Sequence, residues 1–503
     1  MRSTPRIVVI GAGMGGLAAA IDLARRGADV TVIEKAAAPG GKMRQVPVGG
    51  AAIDAGPTVF TMRWIFDSLF GDAGTSLDAH LSLVPAEILA RHAWRSGGRL
   101  DLFADIERSA AAIGEFAGTA EARGYREFCA RGAEVFQTLR DPFIAAARPS
   151  PLELVRRVGW SNLGAMWRTQ PLQSLWSALG DHFRDPRLRQ LFGRYATYCG
   201  SSPLAAPATL MLVAHVEQDG VWLVRGGMRR VADAMRNVGE TQGARYRFDS
   251  EAARIIVAGG RVAGVTLASG ERLDADAVVF NGDVSALSAG LLGAATGRAA
   301  PGTPRAARSL SAVTWCMHAS TAGFPLEHHN VFFAEDYPRE FEAIFRDRAV
   351  VDAPTVYICA QDRGAAAGAL APGAAERMLV LVNAPADGDV AAFDAPWLEN
   401  CARNSFNLLE ACGLRIDRDA AATVATTPAG FEKLFPASGG ALYGRASAGA
   451  MATFRRSGSM TRVPGLFLAG GSVHPGPGIP MAAMSGRLAA AALLEWRAAA
   501  AKA

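Results

Sequence analysis

The chain has 503 residues, half of them hydrophobic and a fifth charged, with a formal net charge of +5. That length admits two to four domains and a sizeable core; lysines and arginines spread along it provide neither a basic tail nor an aromatic-and-basic module for nucleic acid, although the small positive excess suits an anionic membrane surface. The six cysteines (Cys129, Cys199, Cys316, Cys359, Cys401 and Cys412) contain no C-x-x-C, which excludes a zinc pattern and a disulfide framework and fits reduced thiols in a cytoplasmic protein.

Ile7-Val8-Val9-Ile10 is a short β-branched run of the kind buried in a parallel sheet. Gly11-Ala12-Gly13-Met14-Gly15-Gly16 follows at once and fits G-x-G-x-x-G. Leu17 to Arg26 reads as a helix with Gly27 as its C-cap, and Asp29 to Ile33 as a second strand ending on Glu34. Strand, glycine turn, helix, strand and acid in this order form a dinucleotide-binding unit. Gly11 permits the tight turn, Gly13 lets the backbone approach a pyrophosphate, and Gly16 brings helix and strand together. The N–H groups at the helix start then face the phosphates. Glu34 lies 18 residues after Gly16, where a carboxylate can accept hydrogen bonds from an adenosine ribose and would repel a 2′-phosphate. Arg2 and Arg6 around an apolar start imitate a signal peptide, but the nucleotide motif occupies the same run, so none is expected.

Lys35 and then Pro39-Gly40-Gly41-Lys42-Met43 follow. A second glycine pair ending in a cation can lie against a flat ring or a phosphate, which an NAD site does not need and a flavin further along the cleft does. Ile53-Asp54-Ala55-Gly56-Pro57-Thr58 reads as a short strand and a fixed turn that can line the same ring.

The next stretch changes character. Arg91 to Trp94 and Leu100 to Asp105 read as strands joined by a Gly97-Gly98 turn, and Glu107 to Ala117 and Tyr125 to Leu139 have helical spacing. Pro151 to Arg194 is the most membrane-like segment. It carries Trp160, Trp167 and Trp176 with Arg156, Arg157, Arg168, Arg184, Arg187, Arg189 and Arg194, a pairing that suits a lipid headgroup interface or, equally, a helical cap with inward tryptophans. Val221 to Met228 opens a second glycine turn before a helix marked by Val231, Ala234, Met235 and Val238. Tyr246 to Phe248, Arg254 to Val257, Val262 to Leu267 and Ala277 to Asp283 read as strands, with Gly259-Gly260 a hairpin turn. Val313 to Ala319, Thr355 to Ala360 and Met378 to Asn383 read as strands flooring an apolar tunnel, and Trp397 to Ala411 as a helix behind Pro396. His328-His329 lacks a partner cluster, so it is read as solvent-exposed and no metal site is expected.

In the tail, Gly465 to Ser472 reads as a strand ending in glycines, followed by the rigid loop Val473 to Met481 and a small-residue helix from Ala482 to Glu495. His474 is open to a catalytic or a loop-anchoring role. No run approaches the roughly 18 uninterrupted apolar residues of a spanning helix.

Gly11 to Gly16, Glu34, Gly40-Gly41-Lys42, Asp54 to Pro57 and the Gly470 to Met481 tail together resemble the flavin-containing amine oxidase superfamily, and within it the bacterial carotenoid desaturase branch. Arg91 to Asp105 is similar to the 1-hydroxycarotenoid 3,4-desaturase subgroup of photosynthetic bacteria. The resemblance spans nearly the whole chain. It implies an α/β fold, with a Rossmann-like FAD-binding domain (1–75, 221–289 and 426–503) and a substrate domain of mixed sheet and helices (76–220 and 290–425) inserted in the chain. It implies FAD as cofactor, held by Gly11, Gly13, Met14, Gly16, Glu34, Lys35, Gly40, Gly41, Lys42, Met43, Gly56, Pro57, Thr58, Ala253, Gly470, Gly471, Ile479, Pro480 and Met481.

The implied reaction removes two hydrogens from a linear carotenoid, at C3–C4 of a 1-hydroxylated chain such as 1-hydroxyneurosporene, by hydride transfer to flavin N5 and loss of a proton. The cofactor does the hard step and the protein supplies positioning and an apolar sheath, so no catalytic residue is assigned. The substrate comes from the bilayer, which implies a cytoplasmic protein held peripherally on the inner or intracytoplasmic membrane. No second G-x-G-x-x-G with its acid appears, so the electrons are expected to leave for a quinone or oxygen and not a nicotinamide. The alternatives are a phytoene desaturase or isomerase of the same branch and, in another class, a non-catalytic isoprenoid-binding protein of the same fold, as in Rab GDP-dissociation inhibitors.

Overall fold

The computed structural model describes residues 4–159, 163–368, 370–371 and 373–500. The first apolar run becomes the strand Arg6–Ile10, the centre of a five-stranded sheet. The order across this sheet is Leu466–Leu468, Ala277–Phe280, Arg6–Ile10, Asp29–Ile33 and Arg245–Arg247, all parallel. Such a sheet must be covered on both faces, which explains why Val8, Val9, Val278 and Val279 are all buried. One face is covered by the helices Met14–Ala24, Arg229–Thr241 and Ile479–Ala500. The other is covered by the antiparallel ribbon Ala252–Ala258, Arg261–Leu267 and Arg272–Asp274. The chain leaves the central strand to opposite sides, so a crevice opens at the carboxyl ends of Arg6–Ile10 and Ala277–Phe280, where Gly11 and Asn281 follow.

A seven-stranded mixed sheet forms the second layer, in the order Ala422–Thr426, Ser311–Ala319, Glu376–Ala384, Val356–Ala360, His329–Phe333, Ile88–Trp94 and Arg99–Phe103. Its one parallel contact joins His329–Phe333 to Ile88–Trp94. Ala395–Ala411, capped by the Asp394 carboxylate on the Trp397 N–H, packs behind it. In front stands a helical cap that includes Thr119–Leu139, Leu175–His182, Pro186–Gly193 and Leu212–Gln218.

Several boundaries differ from expectation. The tail strand is only Leu466–Leu468, and the last helix starts at Ile479, because Pro480 in its first turn has the required φ and no N–H to lose. Thr119–Leu139 begins a turn and a half early, since Glu121 and Ala122 are themselves buried. Pro151 to Arg194 breaks into short helices, three of which start at the capping side chains of Ser150, Ser174 and Asp185. Trp160 lies outside the described residues. Among the described residues no helix is long and apolar enough to cross a membrane.

Candidate functional site

A cavity of about 1490 Å³ runs from the crevice of the parallel sheet, past the mixed sheet, to the surface between the cap helices. Ordinary small-molecule sites occupy about 300–1,000 Å³, so this volume accommodates a dinucleotide and a long second ligand together.

The crevice end is built by backbone lying on backbone. Gly11 adopts φ +96° and its N–H donates to the Ile33 carbonyl at 2.8 Å. A Cβ on Gly16 would stand 2.0 Å from the Gly11 oxygen, and one on Gly13 would stand 2.9 Å from Asn281 Nδ2. The Gly40 N–H donates to Ala12 O at 2.8 Å, which lays the second glycine pair against the first turn. A Cβ on Gly56 would stand 1.9 Å from the Lys42 oxygen, so the third segment locks onto the second. These contacts leave no room for side chains where the three loops meet.

Gly11, Gly13, Met14, Glu34, Lys35, Gly40, Gly41, Lys42 and Met43 all line the cavity. So do Gly56, Pro57, Thr58, Gly470, Gly471, Ile479, Pro480 and Met481. Gly16 lies beneath the turn as a packing position. Ala253 is exposed and off the lining: a register shift between Ala252 and Arg254 bulges the strand there, and Ser250, Glu251 and Ala252 line the cavity in its place. The Glu34 carboxylate accepts from the Ala12 and Ala36 N–H groups at 2.8 and 2.9 Å, which fixes it at the strand tip.

The helices Met14–Ala24 and Ile479–Ala500 both start on the cavity wall and carry no acid in their first turns, so their free N–H groups favour an anion. Lys42 donates to Leu442 O and lies 5.2 Å from the Phe435 ring centroid; burial lowers its pKa, and Asp283 opposes the shift. This donor set fits FAD: the glycine cradle and helix ends for the pyrophosphate, Glu34 for the ribose, and the Gly40 to Lys42, Gly56 to Thr58 and tail loops for the ring.

Three residues at this end went unread in the sequence. Asn281 Nδ2 donates to Gly11 O at 3.1 Å, and Cβ atoms on Gly13, Gly15 or Gly470 would all strike its amide. Its place directly after a core strand was the available signal. Buried Arg456 donates to Tyr443 O, Gly471 O and Arg445 O, and burial lowers its pKa to about 10. Ser485 accepts from the Gly470 N–H at 2.7 Å. Nothing in the local sequence marked either of the last two.

His474 is buried off the cavity lining. Its Nε2 lies 2.9 Å from Ala146 O, its ring packs on Phe143, and burial lowers its pKa to about 4. It is a neutral anchor for the tail loop. His328 and His329 are not solvent-exposed. His329 opens an interior strand of the mixed sheet and is 3% exposed, and His328, just before that strand, is half-buried. With Cys359 they bring ligand-type atoms within 4.8 Å of one another, with His328 Nδ1 on Arg363 O and His329 Nδ1 on Tyr357 Oη.

The far half of the cavity is mainly apolar, floored by Leu379, Leu381 and Tyr357 and roofed by Leu210, Val213 and Val216. Its mouth carries Trp167 and Leu172, which are 72% and 75% exposed, with Met451 at 46%. Trp176 instead packs beneath Arg189 and beside Tyr337. The arginines divide likewise: Arg187 stacks on Phe116, and Arg194 is buried on the cavity wall.

Residues 14–494 match the family model of flavin-containing amine oxidoreductases. The chain is 55% identical to a hydroxyneurosporene desaturase of Rubrivivax gelatinosus, over 98% of this chain and 93% of that protein. It is 29% identical to a 1-hydroxycarotenoid 3,4-desaturase of a Flavobacterium species, over 96% and 98% of the two chains. Among solved structures it resembles a putrescine oxidase bound to putrescine, with a TM-score of 0.60 at 14% identity over 99% of both chains, a likeness of fold.

Proposed function

Because the chain belongs to the flavin-containing amine oxidoreductase family, as a member of its carotenoid desaturase branch and an FAD-dependent oxidoreductase, we propose that it introduces the C3–C4 double bond into a 1-hydroxylated linear carotenoid such as 1-hydroxyneurosporene. The observation that carries this reading is the continuity of one cavity from the glycine cradle into an apolar channel. When bound, FAD supplies the two-electron acceptor for a hydride leaving the carbon beside the polyene.

The chain's own residues do the rest. The sheet floor and helical roof sheathe the polyene and exclude water, so the chain stays aligned along the channel. Lys42 and Arg456 place positive charge beside the glycine loops, where a ring gaining electrons is stabilised. Exposed Trp167 and Leu172 ring the mouth, and we assign them to a membrane surface from which the substrate enters.

The test is a single incubation. Protein reconstituted with FAD in liposomes meets 1-hydroxyneurosporene and phytoene with one added oxidant, and products are followed by absorption spectrum and mass. A loss of two hydrogens with a red shift on the hydroxylated substrate alone is the expected result. Oxidation of phytoene alone would move the protein to another desaturase of the branch.

A further inference from the structure

The apolar half of the cavity contains an unexplained polar patch. Among the described residues, four side chains on the cavity lining carry a buried polar atom without a protein partner: Arg194, Thr314, Tyr337 and Thr355. All four lie on the sheet-and-helix walls of the substrate half.

Arg194 is the centre of this patch. It is 7% exposed, and its guanidinium donates to Tyr198 Oη at 2.9 Å. Tyr198 and Tyr195 in turn donate to the two oxygens of Glu217, at 2.6 and 2.9 Å. This relay holds the guanidinium at the wall while its Nε–H lacks an acceptor. The Tyr337 ring packs over Gly193, the residue before Arg194, where an added Cβ would stand 3.5 Å from it, and its hydroxyl has no protein partner. One helical turn on, Glu340 accepts from the Thr355 N–H at 3.0 Å, which brings Thr355 to the same helix.

The patch also adjoins the reaction centre. Thr58, which follows the Gly56-Pro57 turn assigned to the flavin ring, lies 2.7 Å from Tyr357 Oη. Tyr357 is therefore one hydrogen bond from the cofactor loop, and Thr355 precedes it by two residues on the same cavity lining. This placement meets a chemical constraint. In a 1-hydroxylated chain oxidised at C3–C4, the hydroxyl oxygen is three bonds from C3, about 4 Å at bond lengths of about 1.5 Å. Its binding site must lie next to the flavin, not at the far end of the channel.

We propose that Arg194, Tyr337 and Thr355 form the subsite that binds the tertiary hydroxyl of the substrate and that this subsite sets the preference for hydroxylated chain ends; the proposal rests on the desaturase reading above. An alcohol offers one donor and two acceptor positions. Its oxygen accepts from the Arg194 Nε–H, and its proton goes to the Tyr337 or Thr355 oxygen. A chain end with hydrogen in place of the hydroxyl leaves these buried groups unpaired, which is the strongest way for a site to reject an analogue.

The test compares kcat/KM on 1-hydroxyneurosporene with that on its counterpart bearing hydrogen at the hydroxyl position. It uses FAD-loaded wild type, Tyr337→Phe, Thr355→Val and Arg194→Lys in liposomes, with the flavin-to-protein ratio measured for each. Wild type is expected to favour the hydroxylated chain by roughly a hundredfold or more, and Tyr337→Phe to reduce that ratio about tenfold. A ratio that stays at the wild-type value in both Tyr337→Phe and Thr355→Val would overturn the subsite, since a merely structural role lowers both rates together. Flavin-loaded wild type that oxidises both chains equally would also overturn it. Flavin-loaded wild type that oxidises neither would overturn the desaturase reading itself.

Discussion

Gly16→Ala puts the dinucleotide site under the most direct strain. A Cβ at this position would stand 2.0 Å from the Gly11 oxygen, and real Cβ contacts begin at 3.0 Å, so helix Met14–Ala24 must withdraw by about 1 Å or more. It has nowhere to go. On its other side Gly486 of the last helix is packed so closely that a Cβ there would stand 2.0 Å from the Gly15 oxygen. Overpacking of this kind costs about 1–3 kcal/mol of stability. The same shift carries the Met14 and Gly15 N–H groups away from a bound pyrophosphate. Two hydrogen bonds to a charged group at about 1.5–3 kcal/mol each amount to about 3–6 kcal/mol, or roughly a hundredfold to ten-thousandfold in FAD affinity. The assay is FAD titration of the purified protein, read as flavin-to-protein ratio after gel filtration, beside denaturation midpoints with and without FAD. Gly71→Ala is the control: it is exposed in helix Arg63–Asp72 with nothing within 4 Å of an added Cβ. It should leave flavin binding alone and raise stability by up to about 1 kcal/mol. If Gly16→Ala bound FAD as tightly as Gly71→Ala, the close-packed cradle would not be the pyrophosphate site.

Two further outcomes follow from burial and exposure. Burial holds the pKa of His92 down to about 3 and that of His474 down to about 4, both below the ordinary 6.5, so the unfolded chain takes up protons first as pH falls. Their contribution is complete above 6.5 and declines towards the folded values; at about pH 5 each has given up about 2 kcal/mol. The gap between urea midpoints at about pH 7.5 and about pH 5 should therefore narrow in His474→Gln by the His474 share, with the His92 share remaining, and an undiminished acid loss in that variant would count against the assignment. At the cavity mouth, Trp167→Ala with Leu172→Ala removes two apolar anchors of about 1.5 kcal/mol each, which should weaken liposome binding roughly a hundredfold at unchanged flavin content. Binding at the wild-type level would return both side chains to an unspecialised surface.

What could be read from the chain is what depends on neighbours in sequence. Arg6 to Glu34 was legible because strand, turn, helix and acid follow one another, and because a glycine demanded by close backbone approach leaves a mark at its own position. The Gly40-Gly41-Lys42 and Gly56-Pro57 turns were legible for the same reason. Ala253 falls off the cavity lining, next to Ala252 which is on it, because a bulge shifts the register of its strand, and spacing along one strand does not reveal a bulge. His328-His329 looked exposed because a histidine pair is polar; His329 proved to start an interior strand of a seven-stranded sheet.

By itself, then, the sequence determined the dinucleotide unit, the flavin-type loops, the succession of most strands and helices, and the family to which they belong. Only the tertiary structure decided which distant side chains share a wall. Asn281 and Ser485 reach the Gly11 and Gly470 turns from elsewhere in the chain, and Trp167 and Trp176 part company although nine residues separate them. Arg194, Tyr198 and Glu217 form one network, and they line the same cavity as Tyr337 and Thr355, because a helical cap folds over a sheet whose strands come from widely separated segments. Backbone preferences act over a few residues and leave periodic traces. A buried hydrogen-bond network forms only where folded surfaces meet, so its members carry no common pattern in the sequence.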